Sequence, residues 1–399
     1  MEKLAPSYLD SEVVAEAVLA HLWSHRATNS SSPHLTGSPL LLQKLWSNIY
    51  FLTVMDAGEL RELVAKIAHF PDQITPEVSW QSEELLIRGR REFETMTRVF
   101  NHFMHQPDSL LTALHPQAYL PEINAVLMDF VSGRALYDEC IALRHLLSAA
   151  GRRRAEQVMH RAGQWLRWFH RLPLDNAPRE RIFSSSDTFS ALLNSVDQLR
   201  CFGVDPSTWP QWSYTLAALS QVSYSGQVWT HGDFHLRNVL VVFPHDAVLG
   251  LDTALERIDS PYYDLGKFVA DLKTRRAMIL RGGLLPPPGV IQALTRAFLS
   301  GYLAGAPVSV LSLALYEGRF IFEKWVESLT VIRETFRGSA APVGAAIGNL
   351  VVNPTFGRMI NGWMGTINNA AASRRVGLYQ PQNVVCDPNE AVRKARSTL

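Results

Sequence analysis

Apolar residues recur at helical spacing over residues 8–26, where Val13, Val14, Ala17, Val18, Leu22 and Trp23 share a face. Ala27–Pro33 follows, a run of Thr, Asn, Ser and Pro that reads as a loop. Two strand-like runs come next, Ile49–Val54 and Leu63–Ala68, with Met55-Asp-Ala-Gly58 between them as a turn. Residues 82–104 return to helical spacing, with Leu85, Leu86, Phe93, Met96, Phe100 and Phe103 on the apolar side. Tyr119–Val131 gives strand-like pieces, most clearly Asn124-Ala-Val-Leu-Met-Asp-Phe130. A mostly β region with one long helix therefore fills residues 35–130.

Beyond Gly133 the pattern is helical. Residues 153–171 carry Val158, Ala162, Trp165, Leu166 and Phe169 at helical spacing. Further helices are expected over 189–200, 211–222, 264–281, 289–304 and 309–336. Short strand-like runs interrupt them at Val228–Trp229, Asn238–Phe243 and Ala247–Leu251. A chain of 399 residues exceeds one compact core, which predicts two lobes. The expected organisation is an α+β fold with a small β-rich N-lobe over 35–130 and a larger, mostly helical C-lobe over 131–372. An N-terminal helical extension (1–34) and a C-terminal tail (373–399) flank them.

Composition narrows the class. The formal net charge is +1, which gives no global nucleic-acid signature. Cys140, Cys201 and Cys386 are far apart, without metal-ligand spacing, and suit a reduced, cytoplasmic setting. The N-terminus shows no apolar signal-peptide core. Phe298–Tyr316 is uncharged, but Pro307, two glycines and three serines break it, so it reads as helix, turn and helix rather than a stable membrane span.

The candidate chemistry lies in Trp229-Thr-His-Gly-Asp-Phe-His-Leu-Arg-Asn-Val-Leu-Val241. Asp233 and Asn238, five residues apart in a loop between short strands, can converge on one point. A carboxylate there can orient an attacking hydroxyl and take its proton, and the Asn carbonyl oxygen can ligate Mg²⁺. Asp252, after the next strand-like run, adds a second hard oxygen ligand suited to Mg²⁺ held against phosphates. Phosphoryl transfer needs such a set because its catalysis is mostly positioning and charge neutralisation. No Gly-x-Ser-x-Gly elbow supports a serine hydrolase, and no Ala-Pro-Glu-like segment supports a protein kinase.

The segment resembles the aminoglycoside phosphotransferase and choline kinase superfamily, a branch of the protein-kinase-like fold. His231-Gly-Asp233, Asn238, Asp252 and Asp264-Leu-Gly266 match that family's spacing. The resemblance implies Asp233 as catalytic base, Asn238 and Asp252 as metal ligands, and Asp264 as a brace for the catalytic loop. Asp259 is a rival to Asp252. Upstream, Lys66 looks like the strand lysine that grips the α/β-phosphates of ATP, with Glu92, or alternatively Glu94, as its partner. Ala125–Gly133 resembles the hinge between lobes, where backbone groups around Asp129 and Val131 would hydrogen-bond adenine. Together the matches cover roughly residues 40–270.

There are departures. The run Gln43-Lys-Leu-Trp-Ser-Asn48, before the first expected strand, has no glycine, so Ser47 and Asn48 would cap the phosphates beside a bulky Trp46. His235 is read as a solvated or backbone-bonded loop histidine rather than a metal ligand. The resulting expectation is a Mg²⁺- and ATP-dependent phosphotransferase acting on the hydroxyl of a small molecule; the alternative is a nucleotide-binding pseudokinase. Residues 273–399 hold 15 Lys+Arg against 6 Asp+Glu, with Lys273, Arg275, Arg276 and Arg281 close together. A basic helical lobe suits a neutral or anionic acceptor better than a polycation.

Overall fold

The two long strands expected near the N-terminus form one hairpin. In the computed structural model β3 (Ser47–Asp56) and β4 (Glu59–Ala68) pair antiparallel from Ser47↔Ala68 to Asp56↔Glu59. The connection is Ala57-Gly58, both with positive φ (55° and 85°), the two-residue turn that suits the twist of a hairpin. The structure describes residues 9–25, 32–44, 47–68, 82–141, 148–174, 182–223, 226–253, 257–274, 288–373 and 378–379.

Both strands outrun the apolar segments that announce them. Glu59–Glu62 are polar or exposed yet continue β4, because the hairpin turn lies beyond the core. Ser47 and Asn48 belong to β3, opposite Ala68 and Ile67, and both are buried; the expectation of a loop at these two residues is corrected. Short strands β1 (His34–Leu35) and β2 (Leu40–Gln43) also pair with β3. On the other side β4 pairs with β7 (Ala125–Asp129), and β7 with β6 (Pro116–Leu120).

Strand periodicity gives this sheet two different faces. Tyr50, Leu52, Val54, Leu63, Ala65 and Ile67 point to one side, where helix α1 (Ser11–Ser24) covers them with Val14, Ala15, Val18 and Leu22. The Tyr50 hydroxyl also donates to the Leu9 carbonyl at 2.7 Å. The other face carries Ile49, Phe51, Val64, Val126 and Met128, packed with Phe93 and Met96 of helix α2 (Glu83–Phe103). Ser82 caps α2 by accepting from the Leu85 N–H.

The chain divides into two compact units, Met1–Phe183 with Gly226–Asp264, and Ser184–Ser225 with Leu265–Leu399. The first contains the sheet, α1, α2, helices α3 (Leu136–Ile141) and α4 (Ala149–Phe169), and a second, four-stranded sheet. That sheet runs β5 (Leu111–Thr112), β11 (Ala247–Gly250), β10 (Val239–Val242) and β8 (Gly133–Ala135). Two further short strands, β9 (Val228–Trp229) and β12 (Ile258–Asp259), pair antiparallel.

Among the described residues the second unit is built mainly from helices: α5 (Ser185–Arg200), α6 (Trp212–Ser220), α7 (Tyr262–Thr274, whose first turn lies in the first unit), α8 (Pro288–Leu303), α9 (Val310–Thr335), α10 (Ala341–Ile347) and α11 (Asn353–Ala372). Its core is aromatic. Trp325 stacks on Trp209 and Phe356, and the Trp363 indole N–H donates to the Ala314 carbonyl at 2.8 Å. The uncharged Phe298–Tyr316 stretch divides between α8 and α9 around Ala304 and Gly305, both at positive φ. Among the described residues no helix is long and apolar enough to cross a membrane. Lys273 pairs with Glu317 at 2.5 Å, while Arg275, Arg276 and Arg281 lie outside the described residues.

Gly250 matters to the site because it stands two residues before Asp252. A Cβ there would lie 2.4 Å from the Trp165 ring, which is fully buried and pinned by its N–H to the Thr112 carbonyl (2.7 Å). Gly250→Ala is therefore expected to destabilise the fold by about 1–3 kcal/mol, the usual cost of overpacking. Denaturant unfolding of the wild type and variant measures this.

Candidate active site

The cavity-facing side of the first sheet carries one ionisable group in its middle. Val64 and Lys66, two apart on β4, share that face. The Lys66 ammonium lies 2.7 Å from Glu92 Oε1 and 2.5 Å from Asp252 Oδ1. Glu92 comes from α2, so the expected partner is the one present; Glu94, two positions on, is exposed on another face of the helix. Burial alone would favour the neutral amine of Lys66, but the two carboxylates outweigh it and hold the ammonium above its ordinary pKa. Asp252 responds in the opposite sense. Burial would raise its pKa, and the charge and hydrogen bond of Lys66 more than offset that, with a smaller contribution from Lys44.

The segment between β9 and β10 is held from beneath by Asp264. One carboxylate oxygen accepts from the His231 N–H (2.7 Å) and the other from the Gly232 N–H (3.0 Å). His170 Nε2 lies 3.0 Å from the first oxygen. Gly232 has φ +80°, a conformation in which glycine alone is unstrained. Phe234 and His231 point down into Trp165 and Phe169, and all four side chains are buried to within 1 %. With the backbone anchored on that side, Asp233 stands upward with its side chain 52 % exposed.

Asn238 joins the two halves. Its Nδ2 donates to Asp233 Oδ2 (2.9 Å) and to the Asp233 carbonyl (3.1 Å). Its own carbonyl accepts from the Leu251 N–H (2.8 Å), which sets it beside the residue preceding Asp252. Asp252 has φ 56°, so the chain turns as it leaves β11 and delivers the carboxylate to Lys66. Lys66, Glu92 and Asp252 thus form one contact set and Asn238 and Asp233 another, and the Leu251 backbone joins the segments that carry them.

A cavity of about 310 Å³ opens over Lys66, Glu92 and Asp252. Its apolar walls include Leu42, Ile49, Phe51, Val64, Met128 and Leu240, and its polar end carries Lys44, Ser47, Lys66, Glu92 and Asp252. The volume lies within the range of small-ligand sites. Ser47 reaches the cavity, whereas Asn48, also expected to cap the phosphates, falls on the opposite face of β3 and does not line it. Asp129 and Val131 line the cavity. The Asp129 carboxylate is already engaged with His115 (2.7 Å) and Gln117 (2.8 Å).

The rival Asp259 is buried, paired with Arg257, and accepts from the Ser260 N–H, away from the cavity lining. His235 Nδ1 accepts from the Arg237 N–H, as expected of a backbone-bonded loop histidine. Lys44 escaped the sequence reading, although it stands in the very run noted for lacking glycine. Its contribution depends on the hairpin geometry that brings it to the cavity.

The residues fit a nucleotide with its metal. Among the described residues no three His, Cys, Asp or Glu side chains converge as a metal cage. One carboxylate and one amide oxygen, beside a lysine, are instead the partial ligand set that suits Mg²⁺ shared with phosphate oxygens.

A family model described as the phosphotransferase enzyme family matches residues 41–305. The chain belongs to that family. It is a small-molecule kinase with an alcohol group as acceptor. A comparison with curated protein sequences found no match. Solved structures share the fold. A putative aminoglycoside phosphotransferase from Ralstonia eutropha is 14 % identical, over 88 % of this chain and 98 % of that one, with a TM-score of 0.54. Glucosamine kinase in complex with glucosamine, ADP and inorganic phosphate is 13 % identical, over 89 % and 88 %, at 0.51. Macrolide 2'-phosphotransferase from Brachybacterium faecium is 13 % identical, over 84 % and 97 %, at 0.50. The phosphotransferase therefore has the two-lobed α+β, protein-kinase-like fold that its motif spacing resembled.

The anchoring side of the catalytic loop has a pH signature. His231 is buried, and neither ring nitrogen has a hydrogen-bond partner among the described residues. Burial drives its pKa down, the nearby carboxylates offset this only in part, and the value falls to about 4. The unfolded chain, with an ordinary histidine near 6.5, binds that proton more readily. Stability is therefore full above about pH 6.5 and lost as pH falls towards 4, by about 3 kcal/mol from this residue. Urea unfolding at pH 7 and pH 4 is expected to show a smaller acid loss in His231→Leu than in the wild type.

Proposed function

We propose that the protein is a Mg²⁺- and ATP-dependent O-phosphotransferase whose acceptor is a hydroxyl on a neutral or anionic small molecule. The observation that carries this reading is the Lys66–Glu92–Asp252 set at the polar end of the cavity, joined through the Leu251 N–H to the Asn238 carbonyl and so to Asp233. Bound Mg·ATP would supply the phosphoryl group and two positive charges to offset those of its phosphates.

The chain's own residues then divide the work. The apolar walls Ile49, Phe51, Val64 and Met128 accept the flat base, and backbone groups at Asp129 and Val131 hydrogen-bond its edge. Ser47 and Lys66 meet the phosphates, with Glu92 holding the lysine in place. Asn238 and Asp252 present oxygens to the metal. Asp233, oriented by the Asn238 amide, would accept the proton of the acceptor hydroxyl as that oxygen bonds to the γ-phosphorus of ATP and the P–O bond to the departing ADP breaks. The complete set supports an active enzyme over a pseudokinase. The excess of basic residues after 273 supports a neutral or anionic acceptor.

The test is a screen of labelled ATP against pooled sugars, amino alcohols and antibiotics, followed by Asp233→Asn on the best acceptor. The variant is expected to lose about 10²–10⁴ in kcat, the typical contribution of general-base catalysis, while still binding Mg·ATP. Unchanged turnover would remove Asp233 from its role. Selective phosphorylation of aminoglycosides would contradict the acceptor class.

A further inference from the structure

The hairpin at the polar end of the cavity brings a second lysine to the site. Lys44 directly follows β2, and its N–H donates to the Ser47 carbonyl at 2.9 Å, closing the β2–β3 connection. Its side chain is exposed at the surface and contributes to the cavity lining with Ser47, Lys66 and Asp252. Its charge reaches Asp252, where it adds to that of Lys66 in favouring the carboxylate.

Two physical considerations give this position a task. The first is steric. Loops that cradle phosphates with backbone N–H groups depend on glycine, because a Cβ obstructs the close approach. From Ser38 to Asp56 this chain has no glycine, so that device is absent. The second is electrostatic. Lys66 is already faced by Glu92 and Asp252, so these three groups carry a net negative charge. A polyphosphate entering such a site needs further positive charge besides its metal. An ammonium on a flexible four-carbon stem provides it as a point charge that does not require close backbone approach.

We infer that Lys44 is a nucleotide-phosphate ligand of this phosphotransferase, replacing by side-chain charge the backbone cradle of a glycine loop. The inference rests on the reading of the cavity as a nucleotide site and adds a residue to it. Lys44 is surface-exposed, so its substitution leaves the core intact.

Calorimetric titration of Mg·ATP and of adenosine into the wild type, Lys44→Ala, Lys44→Arg and Lys66→Met tests it. Lys44→Ala is expected to bind Mg·ATP about tenfold more weakly, the effect of losing one partly screened charge contact. Adenosine binding should be unchanged, and Lys44→Arg should restore most of the Mg·ATP affinity. Wild-type affinity for Mg·ATP in Lys44→Ala would overturn the inference, and so would an equal loss for Mg·ATP and adenosine. If Lys66→Met alone weakens Mg·ATP, the nucleotide site stands and Lys44 has no part in it. A wild type that binds neither ligand overturns both readings.

Discussion

A lysine ammonium kept from bulk water must be met by opposite charge, and at Lys66 that requirement organises the site. Its side chain is only 17 % exposed, and its two carboxylate partners arrive from different parts of the chain. Glu92 reaches it from a helix packed on the sheet, and Asp252 from the segment that leaves the β10–β11 hairpin. Removing either partner would leave a poorly solvated charge half-compensated, which is far costlier than losing a surface ion pair. The pairing therefore fixes the sheet, α2 and the Asp252 segment in mutual register. It also favours the ionised form of Asp252.

A second fixed point lies under the catalytic loop. Asp264 is fully buried and takes two backbone N–H groups of the loop on its two oxygens, with His170 against one of them. Trp165, Phe169, Phe234 and His231 fill the space beside it. The buried side of the loop is anchored, and the exposed side presents Asp233 and Asn238. The short contact from Asn238 to Leu251 then ties the loop to the Asp252 segment.

Much of this was legible in the sequence because the signals are local. Alternation marked the two long strands, helical spacing marked α2 and α4, and the spacing from His231 through Asn238 and Asp252 to Asp264 survives as a linear pattern. Lys66 and Glu92 could be paired because a strand lysine followed by a helix glutamate fits the family order. What stayed hidden depends on face and register. Ser47 and Asn48 look like loop residues, and only the pairing with Ile67 and Ala68 turns one to the cavity and the other to the α1 side. Lys44 has no distinguishing neighbours in sequence, and its place follows from how the hairpin closes. Asp252 and Asp259 look alike locally, but Arg257 has already claimed the second.

The claim on which everything turns is that Lys66, Asn238 and Asp252 form the metal-nucleotide end of the cavity. The most direct measurement is the affinity for ATP with and without Mg²⁺, in the wild type and in Asp252→Ala. Wild-type binding that is strengthened by Mg²⁺, with that strengthening lost in Asp252→Ala, is the result expected. Binding indifferent to Mg²⁺ in the wild type, or a Mg²⁺ effect of the same size in Asp252→Ala, would contradict it.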